Sequence, residues 1–259
     1  MRSPALFDRV ALTVLLYLLA VPATGAQTNP PGSADPDNAA RAQPRATRAF
    51  IVDDRLSALR REPNILAEVV QRLRLGRAVY IVGAKGAKAD RPGFYRVAVS
   101  RRTRGWIHES ALAVPTRAGD DRRVSRLVMS LEGLDRISLC RLFRERFGRS
   151  PLLPGVLLAL AEEAERAADA LGVRARRRLG SLTGEGLPAR LRDYYLSDPG
   201  LDRYSKLGIR FDFDESTGHY IYDGHAYREI VARFPGSAEA KRARELLDAI
   251  GERLARRRT

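Results

Sequence analysis

The side chains that most often perform chemistry are few in this chain and lie far apart. Its three histidines are His108, His219 and His225, and its single cysteine is Cys140. Helical metal sites use histidines four residues apart and zinc sites often use Cys-x-x-Cys pairs, and neither pattern occurs. A Gly-x-Ser-x-Gly motif for a nucleophilic serine is also missing. We therefore predict no catalytic residue, no metal site and no cofactor.

Cys140 is the one candidate nucleophile, and its neighbours indicate a structural role. It lies in an apolar stretch with Ile137, Leu139, Leu142 and Phe143. Such a position predicts a buried and unreactive thiol. A Cys–His nucleophile would need Cys140 to leave this apolar face and a distant histidine to approach it. The sequence therefore predicts that the protein is not an enzyme.

The acidic segment 212–223 permits two interpretations. It has oxygen ligands at positions 1, 3 and 5 of a calcium loop, but its glycine, Gly218, is at position 7 and Asp223 replaces the final glutamate. Alternatively, Phe211 and Phe213 alternate with acids, the chain bends at 215–218 and an aromatic strand returns. Because the departures affect the positions that a calcium loop needs most, the pattern favours a hairpin.

The first 47 residues have the composition of an export signal and a linker. Arg2 and Arg9 give the segment a positively charged start, and the apolar run Val10–Val21 follows. Small residues at Thr24–Ala26 then form a candidate cleavage site. This run is shorter than the roughly 20 residues that a membrane-spanning helix needs. We predict a cleaved signal peptide at 1–26 and a disordered linker at 27–47. The mature protein would be exported, periplasmic or extracellular, with no transmembrane helix.

The chain is strongly basic, with a formal net charge of +15 at pH 7. This charge favours anionic partners: nucleic acid, anionic lipid headgroups or acidic wall polymers. The basic residues are spread along the chain among acids, which is also typical of solvated helix faces. Export makes nucleic acid an unlikely partner.

Residues 48–115 predict a small β-barrel. Short apolar runs alternate with turn residues, and Phe94–Val99 places Tyr95, Val97 and Val99 on one face. About five strands joined by short turns favour a barrel over a parallel sheet. The predicted strands are 49–52, 56–59, 65–73, 78–82 and 94–99, followed by a return at Trp106.

Several motifs of this segment resemble those of bacterial SH3-like domains. A leucine-containing strand and a proline turn fall at 56–63, and a Leu-x-x-Gly turn leads into an apolar strand at 73–82. An aromatic-x-Val strand at 95–97 precedes the Gly-Trp-Ile-His return at 105–108. The resemblance implies an SH3-like barrel that binds cell-wall peptides or acts as an adaptor.

Trp106 has two possible roles in such a barrel. It could pack over the barrel mouth and cap the core, or it could form a groove for a peptide or glycan with Tyr95 and His108. Small barrels need their large side chains for the core, which favours the first role. If the second role applies, the ligand-binding candidates are Tyr95, Trp106 and His108.

Residues 116–259 have the period of amphipathic helices. An apolar stripe runs through 124–131, and a long helix after Pro154 has Glu162, Glu163, Glu165 and Arg166 away from its apolar face. The segment Tyr227–Ala240, in which a helix ends in Phe-Pro-Gly-Ser and an alanine-rich helix follows, resembles tetratricopeptide-type repeats of exported bacterial proteins. The resemblance implies an all-α, tetratricopeptide-like domain.

Together these features predict an exported, non-catalytic binding or scaffold protein of the bacterial cell envelope. Its predicted organisation is a small SH3-like β-barrel at 48–115 followed by a helical domain at 116–259. Its predicted partners are envelope proteins or peptidoglycan. The alternative function is a cell-wall hydrolase, or its accessory factor, with a site in the helical half.

Overall fold

The computed structural model describes residues 46–83, 93–181, 191–215 and 217–255, and all of them belong to one compact unit, 44–259. The predicted signal peptide, nearly all of the predicted linker and residues 84–92 lie outside the described residues. Within the described part of the chain, none of the helices combines the length and the hydropathy that crossing a bilayer requires.

The N-terminal part of the described chain is one antiparallel sheet in the order β3-β2-β6-β5-β4-β1-β7. Among the described residues β3 and β7 form the two ends, so the sheet does not close into a barrel. Short turns of 3₁₀ helix at Asp54–Leu56 and Glu109–Ala111 connect its strands. The strands are β1 (Thr47–Ile51), β2 (Ala58–Arg60), β3 (Val69–Arg72), β4 (Ala78–Ile81), β5 (Phe94–Ala98), β6 (Arg104–His108) and β7 (Leu112–Ala113).

Two predicted strands are wrong in extent, because polar side chains organise turns there. The side chain of Asp53 accepts a hydrogen bond from the Arg55 amide and starts the 3₁₀ turn, so β2 begins only at Ala58. The side chain of Asn64 accepts a hydrogen bond from the Leu66 amide at 3.0 Å. This Asx-type turn shortens the predicted strand 65–73 to 69–72.

Alternation along the strands separates a core face from an outer face. The side chains of the core face pack into one buried cluster that includes Ala49, Ile51, Leu59, Val79, Val97 and Ile107. Because successive side chains of a strand point to opposite faces, the residues between these lie on the outer face. The prediction of an antiparallel β region is therefore confirmed, with the periodicity that the sequence suggested.

A helical region follows the sheet, as the sequence predicts. The predicted amphipathic helices are present, and Pro199 opens a further short helix. The helices are α1 (Asp120–Ser130), α2 (Gly133–Arg146), α3 (Leu153–Gly180), α4 (Leu191–Leu196), α5 (Pro199–Ser205), α6 (His225–Arg233) and α7 (Ala238–Ala255).

The predicted hairpin lies within the helical region and is confirmed. Strands β8 (Phe211–Asp214) and β9 (His219–Tyr222) pair antiparallel, and β9 packs against α3. Phe213 stacks on Tyr195 of α4 with 4.2 Å between ring centroids, and the hydroxyl of Tyr220 donates to the carbonyl oxygen of Tyr195 at 2.5 Å. The hairpin is therefore part of the helical core.

The predicted position of Glu163 on the polar face of α3 is wrong. The sequence places Glu163 away from the apolar face, yet only 5% of the residue is exposed. Its carboxylate accepts hydrogen bonds from the Gly133 amide at 2.9 Å and from Arg136 at 3.0 Å, and it also pairs with Arg166. The burial of Glu163 is possible because these donors satisfy its charge.

Asp120, at the start of α1, joins the sheet to the helices. Its buried carboxylate accepts hydrogen bonds from the Val114 amide at 2.7 Å and from the guanidinium group of Arg117 at 2.9 Å and 3.0 Å. Arg123 donates to the carbonyl oxygens of Ser110 and Leu112. These bonds connect the chain on both sides of the predicted domain boundary at 115/116.

Candidate binding face of the sheet

The outer face of the sheet brings together arginines and aromatic side chains. The strand register pairs Trp106 with Arg60 on one side and with Arg96 on the other. It also pairs Ala98 with Arg104 and with Tyr80. We call this surface the Trp106 face, and it consists of Arg48, Arg60, Tyr80, Arg96, Arg104 and Trp106.

Trp106 belongs to this outer face and not to the core. Its neighbour Ile107 is fully buried in the core cluster, whereas Trp106 is half-buried and lies outside that cluster. The interpretation that Trp106 caps the core is therefore wrong. The physical reason is the two-residue period of β6, which allows Ile107 but not Trp106 to point inward.

Gly105 positions Trp106 opposite β2. A Cβ atom on Gly105 would lie 2.6 Å from the Arg60 carbonyl oxygen and 2.8 Å from the Leu59 side chain. Only a residue without a side chain allows the backbone of β2 to approach β6 this closely. The glycine therefore creates the pairing that places Arg60 beside Trp106.

A row of side chains crosses the outer face at the level of Trp106. Val69, Arg60, Trp106 and Arg96 are successive cross-strand partners on β3, β2, β6 and β5. Directly opposed side chains of antiparallel strands have Cβ atoms about 4.5–5.5 Å apart. Trp106 therefore has an arginine as its direct neighbour on each side. One bound ligand could contact Trp106 and both arginines.

The charges of the Trp106 face are of one sign. No strand from β1 to β7 contains an aspartate or a glutamate. Arg96 and Arg104 are exposed, and neither forms an ion pair with any residue that the structure describes. Arg60 is held in place by donating to the Ala67 carbonyl oxygen at 2.6 Å. The face therefore presents cations that are free to bind an anionic ligand.

Tyr95 does not join Trp106 in a common groove. The register pairs Tyr95 with Ile107, so it lies on the core face, opposite to the Trp106 face. Its hydroxyl accepts a hydrogen bond from Arg117 at 3.1 Å, and the Arg117 guanidinium carbon is 5.8 Å from its ring centroid. Tyr95 is thus held at the junction of sheet and helices.

His108 shares a face with Trp106 but is engaged in the local structure. Its Nδ1 atom accepts a hydrogen bond from the Ser110 amide at 3.2 Å and thereby caps the 3₁₀ turn Glu109–Ala111. Its ring makes an edge contact with Phe94 at 5.3 Å between centroids. Of the three predicted ligand-binding residues, Trp106 alone lies on the outer face without a capping hydrogen bond or an aromatic ring contact among the described residues.

The other members of the face were missed by the sequence analysis. Arg60, Arg96 and Arg104 each look like one more exposed arginine in an arginine-rich chain. A detectable signal was present, since Arg104, Trp106 and His108 share one face of β6 by their spacing of two. Their cross-strand neighbours depend on register, which the sequence pattern does not specify.

The one cysteine is buried, as predicted. Cys140 is 1% exposed, and burial raises the pKa of its thiol to about 12. The reactive thiolate is therefore essentially unpopulated at neutral pH. No group of three or more potential metal ligands occurs in the part of the chain that the structure describes.

Fold and site together define a class: an antiparallel sheet with an arginine-lined tryptophan face, joined to a helical region. Comparisons with family models, with curated proteins and with solved structures find no match to this chain.

Proposed function

We propose that this chain is an exported, non-catalytic binding or scaffold protein of the bacterial cell envelope. In this proposal the sheet is an SH3-like module and the helices form a tetratricopeptide-like module. The Trp106 face binds an extended ligand that carries carboxylates, such as an acidic peptide or a wall-derived peptide. The observation that carries the proposal is Trp106 between Arg60 and Arg96 on a sheet face without acids.

The chemistry of this face suits an extended anionic ligand. The indole of Trp106 offers apolar area to a side chain or a sugar ring of the ligand. Arginine binds carboxylates in a bidentate geometry, and such charge-assisted bonds are stronger than neutral ones. Because Arg96 and Arg104 lie on neighbouring strands, a ligand that crosses the strands can meet both.

The basic charge supports the same partner class. With a formal charge of +15, the chain attracts anionic partners at long range, and this attraction weakens as salt is added. The face combines this charge with aromatic area, from the exposed ring of Tyr80 and the half-buried ring of Trp106. Aromatic side chains favour a partner with apolar groups besides its charges.

The test is binding of an acidic, extended peptide and of soluble wall peptides to the purified protein, measured by calorimetry. We expect Trp106→Ala to weaken binding about tenfold or more, as loss of a central aromatic contact does. Arg96→Gln combined with Arg104→Gln should weaken it further and reduce its dependence on salt. A peptide with glutamine in place of glutamate should bind poorly.

The matched control is Arg174→Gln combined with Arg177→Gln, because these two arginines are exposed on α3 and the charge change is the same. Equal loss of binding in both double variants would reject the Trp106 face as the site. Tighter binding of a single-stranded oligonucleotide than of any peptide would indicate nucleic acid as the partner class. Cleared zones on wall polymer in zymography would favour the alternative function, a hydrolase.

A further inference from the structure

A cavity of about 330 Å³ lies in the helical region, away from the Trp106 face. It is bounded by α2, α3, the segment that follows α5, and the start of α6. Ligand pockets range from roughly 300 to 1,000 Å³, so this cavity has the size for a small molecule or for the end of a peptide.

The inner wall of the cavity is apolar and uncharged. Burial raises the pKa of the Cys140 thiol and of the Tyr222 hydroxyl, so neither group is an anion at neutral pH. An apolar chain or ring that enters the cavity therefore meets no repelling charge. The wall is formed by Cys140, Leu157, Leu160, Ile209 and Tyr222, all of them buried.

Lysine and arginine side chains line the mouth of the cavity. Arg141 is paired with Glu145 at 3.0 Å, and Arg144 is paired with Glu229 at 3.3 Å. Lys206 is exposed and forms no ion pair with any described residue. Glu229 also pairs with Arg233 at 2.5 Å, so its single charge is shared between two arginines. The mouth therefore carries a net positive charge, with Lys206 as its unpaired cation.

Tyr222 adds a hydrogen-bond donor to the apolar wall. Its hydroxyl oxygen accepts a hydrogen bond from the Ala226 amide at 2.8 Å. A phenol can accept and donate at the same time. Among the described residues no acceptor takes the proton of this hydroxyl, so it is available for a ligand oxygen.

We propose that this cavity binds a small amphiphile with one negative charge, a carboxylate on a short apolar chain or ring. The apolar part lies against Leu157, Leu160 and Ile209, and the carboxylate meets Lys206 and the Tyr222 hydroxyl. The same chemistry occurs in free carboxylic acids and at the carboxyl terminus of a peptide. This proposal does not depend on the function proposed for the Trp106 face.

The first test compares ligands on the unaltered protein by calorimetry. Octanoate should bind, and octanamide, which has the same chain without the charge, should bind at least about tenfold more weakly. Equal binding of the two would overturn the proposal. N-acetyl-Ala-Leu distinguishes the two sources: tighter binding than octanoate indicates a peptide carboxyl terminus, and weaker binding indicates a free acid. Either result is compatible with the carboxylate site.

The second test uses variants of exposed residues, which keep the core intact. Lys206→Ala should weaken octanoate binding about tenfold, the loss of one charge-assisted contact. Lys241→Ala, which removes another exposed lysine, from α7, should leave octanoate binding unchanged. Ser205→Trp should abolish binding, because Ser205 lines the mouth and an indole there occupies the cavity. Unchanged binding by Lys206→Ala or by Ser205→Trp would reject this cavity as the site.

Discussion

At the scale of single residues, Gly105 determines whether the Trp106 face can form. We expect Gly105→Ala to lower the free energy of unfolding by about 1–3 kcal/mol, the usual cost of forcing extra atoms into a packed site. The added methyl group would meet a backbone carbonyl oxygen at 2.6 Å, and a backbone atom cannot turn aside as a side chain can. Denaturant unfolding monitored by Trp106 fluorescence measures the change.

The control for this substitution is Gly251→Ala. Gly251 lies in α7 with open space around it, so alanine should leave the stability unchanged or raise it by up to about 1 kcal/mol. If Gly105→Ala were as stable as the unaltered protein, the close approach of β2 to β6 would be disproved. The position of Arg60 beside Trp106 would then lose its support.

Trp106 also shows what the sequence could and could not predict at this scale. The two-residue period of β6 can be read from the sequence. Because adjacent residues of a strand point to opposite faces, only one of Trp106 and Ile107 can face the core. Size favoured Trp106 as the core residue, but Ile107 is the one that is fully buried in the core. The outcome depends on which strand lies next to β6, and that is a property of the fold.

At the scale of elements, Glu163 fixes the start of α2 against α3. It accepts a hydrogen bond from the Gly133 amide at the first turn of α2, where helix amides lack partners within the helix. We expect Glu163→Ala to destabilise the protein by about 3–5 kcal/mol, because Arg136 would remain buried without its partner. Thermal and denaturant unfolding monitored by circular dichroism measure this.

Asp169→Ala is the control for the same helix. Asp169 is exposed on α3, so its removal should change the stability by no more than about 0.5 kcal/mol. Similar effects of the two substitutions would mean that Glu163 contributes only helix propensity. The proposed link between the two helices would then be wrong.

The strands and helices were largely predictable from the sequence, whereas the contacts between them were not. The hairpin β8–β9 followed from aromatic residues that alternate around a bend, and its existence is a local property. Its packing on Tyr195 is a tertiary contact, which the alternation does not specify. Glu163 was misplaced for a related reason: three acids within 162–165 read as a solvated face, and only the fold brings Arg136 to one of them.

At the scale of the whole molecule, the sheet and the helices share a buried junction. Val52 and Ala113 from the sheet region belong to the core cluster of the helices. The guanidinium group of Arg146 on α2 lies 4.1 Å from the ring centroid of Phe50 on β1. The boundary at 115/116 stays a prediction, but these contacts indicate that the two parts support each other. A ligand at one part can therefore affect the stability of the other.

The junction predicts that sheet and helices unfold together. Trp106 fluorescence reports on the sheet and ellipticity at 222 nm reports mainly on the helices, so the two midpoints should coincide. Asp120→Ala should lower the free energy of unfolding by about 2–3 kcal/mol and shift both midpoints equally. Its carboxylate accepts hydrogen bonds from the Val114 amide on the sheet side and from Arg117, which also donates to Tyr95 of the sheet. Asp248→Ala, an exposed control on α7, should shift neither midpoint. Separate midpoints in the unaltered protein would contradict the shared junction and make 48–115 an independent domain.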